Sequence, residues 1–107
     1  MKYIHVTFLL FFIGCSSSLP DESLPLADHL KIGMDFLDQG KFVKAQDEFK
    51  FILSRGTGTD YGDDAQFFLA EAYFLNEQYM PSIQEYENLT RKMAFSPFFE
   101  KARFRIC

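Results

Sequence analysis

The chain has 107 residues, 48% of them hydrophobic and 24% charged, with 14 Phe and a formal net charge of −4. That length bounds it to one small domain, and the acidic balance excludes the basic stripe that nucleic-acid binding needs. Two cysteines, Cys15 and Cys107, are too few for a disulfide framework.

The first residues are Met-Lys-Tyr-Ile-His, followed by Val6 to Ile13, eight residues in which only Thr7 is polar, and then Gly14-Cys15-Ser16-Ser17-Ser18. One cation, a short apolar run and a small residue predict a secretory signal over residues 1–14, too short to span a bilayer. A Cys directly after Gly14 resembles the lipobox of bacterial lipoproteins, although Phe12 stands where Leu is usual. The resemblance implies cleavage before Cys15, acylation of Cys15, and a chain anchored to a membrane without crossing it. Ser16, which is not Asp, implies outer-membrane sorting by the rule of enteric lipoproteins. Loss of the signal removes Lys2 and takes the formal charge from −4 to −5. Residues 15–27, with three Ser in a row, Pro20, Pro25, Asp21 and Glu22, read as a tether.

Residues 28–107 show self-similarity at one offset. Gly33 and Ala70, Phe36 and Tyr73, Gln39 and Asn76, Phe42 and Tyr79, Ala45 and Ser82, and Phe49 and Tyr86 are all 37 residues apart. The offset continues from Ala65, Phe67, Leu69 and Ala70 to Ala102, Phe104, Ile106 and Cys107. A fixed offset that preserves side-chain size predicts helical hairpins in an array, over 28–62 and 63–95, with a third begun at 96–107. In the middle copy the small residues Ala65, Ala70 and Ala72 lie beside Phe67, Phe68, Leu69, Tyr73 and Phe74 at helical spacing. Asn76-Glu77-Gln78 is the predicted hinge. Beyond it Tyr79, Ser82, Ile83, Tyr86 and Leu89 form a second apolar face, with Pro81 in the first turn. Asp63 is the expected cap of the first of these helices, with Gln66 reciprocal to it, and Asp64 the expected complement of the helix dipole.

Ile32-Gly33-Met-Asp-Phe36 with Ala45-x-x-x-Phe49, and Leu69-Ala70-Glu-Ala-Tyr73 with Ser82-x-x-x-Tyr86, resemble the two helices of a tetratricopeptide repeat. Two departures stand out. The customary Pro after the second helix is replaced by Thr57 and Ala94, and the loop around Arg55 to Asp63 is three residues longer. The expected fold is therefore all-α, a tetratricopeptide α-solenoid of two hairpins and the start of a third. In such a stack the first helices line a concave face. Met34, Leu37 and Asp38, then Phe67, Glu71, Phe74 and Leu75, are the candidate peptide-binding residues, with packing between copies the competing role for Phe67 and Phe74.

Together with Cys15, the stretches Gly40-Lys-Phe-Val-Lys-Ala45, Phe49-Lys-Phe-Ile-Leu53, Asp63 to Leu75 and Tyr79 to Leu89 resemble the BamD-type outer-membrane assembly lipoproteins over nearly all of the mature chain. Members usually carry more repeats, so the chain is expected to be an N-terminal part of one. The resemblance implies a non-enzymatic scaffold or receptor at the periplasmic face of the outer membrane, partnering a BamA-like barrel insertase and unfolded outer-membrane proteins. It implies no cofactor, metal, nucleic acid or small-molecule substrate. A different periplasmic tetratricopeptide lipoprotein serving envelope or peptidoglycan processes, and a repeat module that positions a downstream enzyme domain, are the alternatives.

No catalytic set is legible. His5 lies in the signal and His29 stands alone in sequence, without the neighbours that a metal or nucleophile relay needs. Gly56-Thr-Gly-Thr lacks the Lys of a phosphate loop and reads as a turn. Asn88-Leu-Thr90 matches a glycosylation pattern but falls in a predicted helix. The interval between Arg55 and Arg91 contains no Lys or Arg but seven acids, Asp60, Asp63, Asp64, Glu71, Glu77, Glu85 and Glu87. Most are expected to be solvated, with docking of a basic surface the competing role. Cys107 takes the small site equivalent to Ala70 and is expected to be a buried thiol. Labelling cells with a fatty-acid analogue tests the anchor: label should be present on the wild-type chain and absent from Cys15→Ala, and label persisting in the variant would show that the lipobox is misread.

Overall fold

Pro25 is extended (φ −61°, ψ 155°), and its carbonyl accepts from the N–H groups of Asp28 and His29, starting the first helix. The computed structural model describes residues 20–56, 59–92 and 98–106. The signal, Cys15, residues 16–19 of the tether, Thr57, Ala94 and Cys107 lie outside the described residues. Among the described residues five helices follow in order: α1 Leu26–Asp38, α2 Phe42–Gly56, α3 Asp60–Leu75, α4 Tyr79–Lys92 and α5 Phe99–Ile106. No strand occurs among the described residues. Each helix packs on the next, and α3 also reaches back to α1.

The fourth helix opens at Tyr79 as expected, and two other helix starts differ from expectation for local reasons. The first helix opens at Leu26 because Pro25 supplies the fixed φ before it and Leu26 packs against the core. The third opens at Asp60, three residues before Asp63, because Thr59 caps it. Thr59 Oγ1 accepts from the Gly62 N–H at 3.2 Å. Asp63 is therefore no cap, and no capping box with Gln66 forms. Asp64 now falls in the second turn, where burial first, and then Asp63 and Asp60, push its carboxyl above the usual range. The expected benefit of its charge to the helix start is replaced by a cost.

The two hairpin turns are the same structure 37 residues apart. Gln39 and Asn76 follow the last helical residues, and Gly40 (φ +73°) and Glu77 (φ +60°) take the left-handed conformation. Three N–H donors close each turn at matching distances. Gln39 to Asp35 and Asn76 to Ala72 are 3.1 Å; Gly40 to Leu37 and Glu77 to Phe74 are 3.0 Å; Lys41 to Phe36 and Gln78 to Tyr73 are 2.8 Å. This is the Schellman arrangement, which satisfies helix-end carbonyls and favours Gly at the left-handed position. The second copy achieves it with a non-glycine residue.

The core follows the same offset. Ala45, Phe49 and Ile52 on α2 are fully buried, and so, to within 1%, are Ser82, Tyr86 and Leu89 on α4. Ala65 and Ala102 are likewise buried, so α5 begins by repeating α3. Close helix approach explains the small residues. A Cβ on Gly33 would stand 2.5 Å from Phe49 Cε1, and at the equivalent site Ser82 Oγ donates to the Ala70 carbonyl at 2.9 Å. One equivalence fails: Phe42 is half-buried but Tyr79 is 53% exposed, resting edge-on against Phe74, so Tyr79 does not fill the hairpin interior.

Glu77→Gly should raise stability by up to about 1 kcal/mol by relieving the left-handed cost, whereas Gly40→Ala should lower it by about 1 kcal/mol. A Cβ at Gly40 meets nothing within 4 Å, so only the backbone is probed. Urea unfolding midpoints that move in neither direction would contradict the account.

Candidate functional site

The candidate residues are placed by three helices that do not follow one another in sequence. Met34, Leu37 and Asp38 from α1, Phe67, Phe68, Glu71 and Leu75 from α3, and Glu100, Lys101, Arg103, Phe104 and Arg105 from α5 line one open groove of about 970 Å3. These are the first helices of successive pairs, separated by the thickness of α2 and α4 in sequence but adjacent in space because α3 packs on both its own hairpin partner and α1. A volume of this size is at the upper end of the ordinary range for ligand pockets.

Six of the seven candidates therefore share the groove. Phe74 is the exception, lying under the Arg105 guanidinium (5.0 Å to the ring centroid) and against Tyr79 at 5.5 Å. Phe67 lines the groove but is only 8% exposed, stacked on Phe98 at 4.6 Å and edge-on to Tyr86 at 6.0 Å. Packing is the greater part of what Phe67 does. Leu75 is 48% exposed and Phe104 is 83% exposed, and these two give the groove its accessible apolar surface. The α5 wall was not anticipated as a site, although the offset from Phe67 to Phe104 is the signal that places it beside the others.

Glu71 organises the polar side of the groove. Its carboxylate accepts from the Tyr86 hydroxyl on α4 and from Arg105 Nε and Nη2 on α5, the last two at 3.2 and 3.3 Å. One side chain on α3 thus holds α4 and α5 together through a two-pronged, charge-assisted contact. Burial first, and then the Glu71 acceptor, push the Tyr86 hydroxyl well above the usual phenol range. Glu71 is consequently occupied within the fold, not a free acid awaiting a ligand.

A buried polar pair, repeated as a partly buried one, overturns the reading of His29 as a lone residue. His29 is fully buried, with Nδ1 2.6 Å from Glu48 Oε2 and its ring 4.2 Å from that of Phe51. At the same offset of 37, Gln66 Nε2 donates to Glu85 Oε2, with the Glu85 carbonyl 3.5 Å away. His29 and Gln66 are equivalent positions on first helices, and Glu48 and Glu85 on second helices. The sequence contains this equivalence, but the exchange of His for Gln hides it from a comparison of size and polarity. Gln46 Nε2 adds a link to Gln78 Oε1 at 3.0 Å, tying α2 to the second turn. Glu85 and Glu71 thereby leave the set of solvated acids.

Among the described residues no group of three or more His, Cys, Asp or Glu could hold a metal ion, and no helix is long and apolar enough to cross a membrane. The groove can offer apolar contact and charged rims to a chain segment. Comparison with known protein families, with characterised proteins and with solved structures finds no match to this chain.

The Glu71 hub generates a pH prediction. Above about pH 10 the unfolded chain releases the tyrosine proton that the folded protein retains at Tyr86, so stability falls as pH rises. Tyr86→Phe should lower stability at neutral pH by about 1 kcal/mol and flatten the alkaline fall. An alkaline slope unchanged between wild type and variant, read from melting temperatures at pH 9 to 11, would contradict the assignment.

Proposed function

We propose that the chain is a tetratricopeptide-type scaffold, lipid-anchored through Cys15 at the periplasmic face of the outer membrane. Its groove receives segments of unfolded barrel precursors and of a BamA-like insertase. The observation that carries this reading is the groove itself. Leu37 from α1 and Leu75 from α3 flank a channel open at its surface, and an extended or helical segment with apolar side chains fits such a channel. The repeated turns, buried small residues and polar pairs at one offset support the tetratricopeptide assignment, and the run from Val6 to Cys15 supports the anchor.

The role on this reading is recognition without bond chemistry. Apolar anchors in the groove give affinity, while Asp38 on one wall and Lys101 and Arg103 on the other select the flanking charges of the segment.

Copurification from membranes tests the proposal. The insertase should be recovered with the wild-type chain, and Leu37→Asp or Leu75→Asp should reduce recovery about tenfold, as expected when a charge replaces an apolar contact worth about 1.4 kcal/mol. Depletion should lower several barrel proteins together. Normal barrel levels on depletion, with recovery indifferent to both substitutions, would remove the reading.

A further inference from the structure

The exposed ends of the two hairpins repeat as their interiors do. Val43 and Met80, 37 residues apart in the first turns of α2 and α4, are 58% and 76% exposed, so an apolar side chain recurs where packing inside the hairpin makes no use of it. Tyr79, edge-on to Phe74, widens the second patch. Gln46, one helical turn beyond Val43, donates to Gln78 at 3.0 Å, which sets the two turns side by side on one edge of α1 to α4. In a repeat array each copy packs only on its neighbours, so later copies leave the turns of earlier ones uncovered.

Alike in apolar content, the turns are opposite in charge. The first carries Lys41 and Lys44, both exposed, and the second carries Glu77, also exposed, where the first has Gly40. Asp38, the acid next to the first turn, lines the groove. Among the described residues Lys41, Lys44 and Glu77 enter no ion pair. Glu77 holds its place at a backbone cost, because its φ of 60° is a conformation that a Cβ disfavours and that Gly40 adopts freely. Strain kept at an exposed acid, among exposed apolar side chains, marks a contact residue.

We infer that the turn edge joins two copies of this chain about a two-fold axis, the first turn of each copy meeting the second turn of the other. A two-fold contact requires one patch that is complementary to itself, and two adjacent turns of like apolarity and opposite charge meet that requirement. Lys41 and Lys44 of one copy face Glu77 of the other, Val43 faces Met80 and Tyr79, and each contact is made twice. A surface of anionic lipid would attract the lysines but repel Glu77, so the edge as a whole suits a second copy. The inference rests on neither the groove nor the membrane and barrel assignments.

Two differently tagged full-length copies, co-expressed and extracted in detergent, test it through recovery of one tag with the other. Wild type should recover wild type. Glu77→Lys in both copies should lower recovery at least tenfold, and so should Lys41→Glu with Lys44→Glu in both copies. Glu77→Lys in one copy and the two lysine substitutions in the other should restore recovery, since both contacts are then again of opposite charge, and that recovery shows both variants to be folded. Glu77→Gly, expected to be the more stable chain, should also recover less, which separates association from stability. Recovery of the insertase, read from the same extract, should survive Glu77→Lys, so the groove reading fails or stands separately. No recovery with wild type, or indifference to Glu77→Lys, would overturn the inference. Loss in both variants without rescue in the mixed pair would overturn it too, and would assign the edge to lipid or to another segment of the chain.

Discussion

Close approach of paired helices at one small residue per hairpin is the constraint on which the rest of the structure depends. Where Gly33 lies against the Phe49 ring there is no space for a Cβ, and at Ala70 the Ser82 hydroxyl reaches the backbone carbonyl itself. Helices that close bury everything between them, polar groups included. His29 Nδ1 with Glu48, and Gln66 with Glu85, answer part of that burial, since a polar group taken from water without a partner costs about 1–3 kcal/mol, and among the described residues His29 Nε2 stays buried without one. The Schellman turns then hold the two helices of each pair at a fixed separation and register.

From this close packing the groove follows. With each hairpin closed, α3 has only its remaining faces to offer, and it uses them on α1, α2 and the Phe98 ring. The result is a helix buried on several sides, with Gly62, Ala65, Ala70 and Ala72 keeping its girth small. Its groove-facing residues divide by role. Phe67 is packing, Glu71 is a clamp on α4 and α5, and Leu75 is exposed surface. The clamp sets where the α5 wall stands, so the width of the groove depends on a contact between Glu71 and Arg105 that spans 34 residues of sequence.

Much of the fold was legible because size, and not only polarity, recurs at one offset. Ala45 with Ser82, Phe49 with Tyr86, and Ala65 with Ala102 could be paired by eye, and all six are buried. The start of α4 at Tyr79 was legible, whereas those of α1 and α3 were not, because a cap depends on which of several polar residues the local backbone selects. Thr59 was passed over in favour of Asp63, and Leu26 was assigned to the tether. Tyr79 was misplaced for a related reason: position in the repeat predicts the face of the helix, but at a helix start that face is not fully covered. The buried pairs were invisible because chemistry, donor facing Glu, was conserved between copies while side-chain type was not. Of the seven residues named from the repeat alone, six line the groove, yet the α5 wall, which contributes the most exposed aromatic ring in the groove, required the structure.

On the proposed function, the groove between α1, α3 and α5, and not the outer surface of the hairpins, would be where precursors and the insertase are received. Photo-crosslinking in living cells measures this directly, with a photoreactive residue placed at Leu37 or Leu75 in the groove, or at the exposed Val43 of α2, which does not line it. The account predicts crosslinks to barrel precursors or the insertase from positions 37 and 75 and none from position 43. Equal crosslinking from all three positions, or crosslinks from position 43 alone, would contradict it.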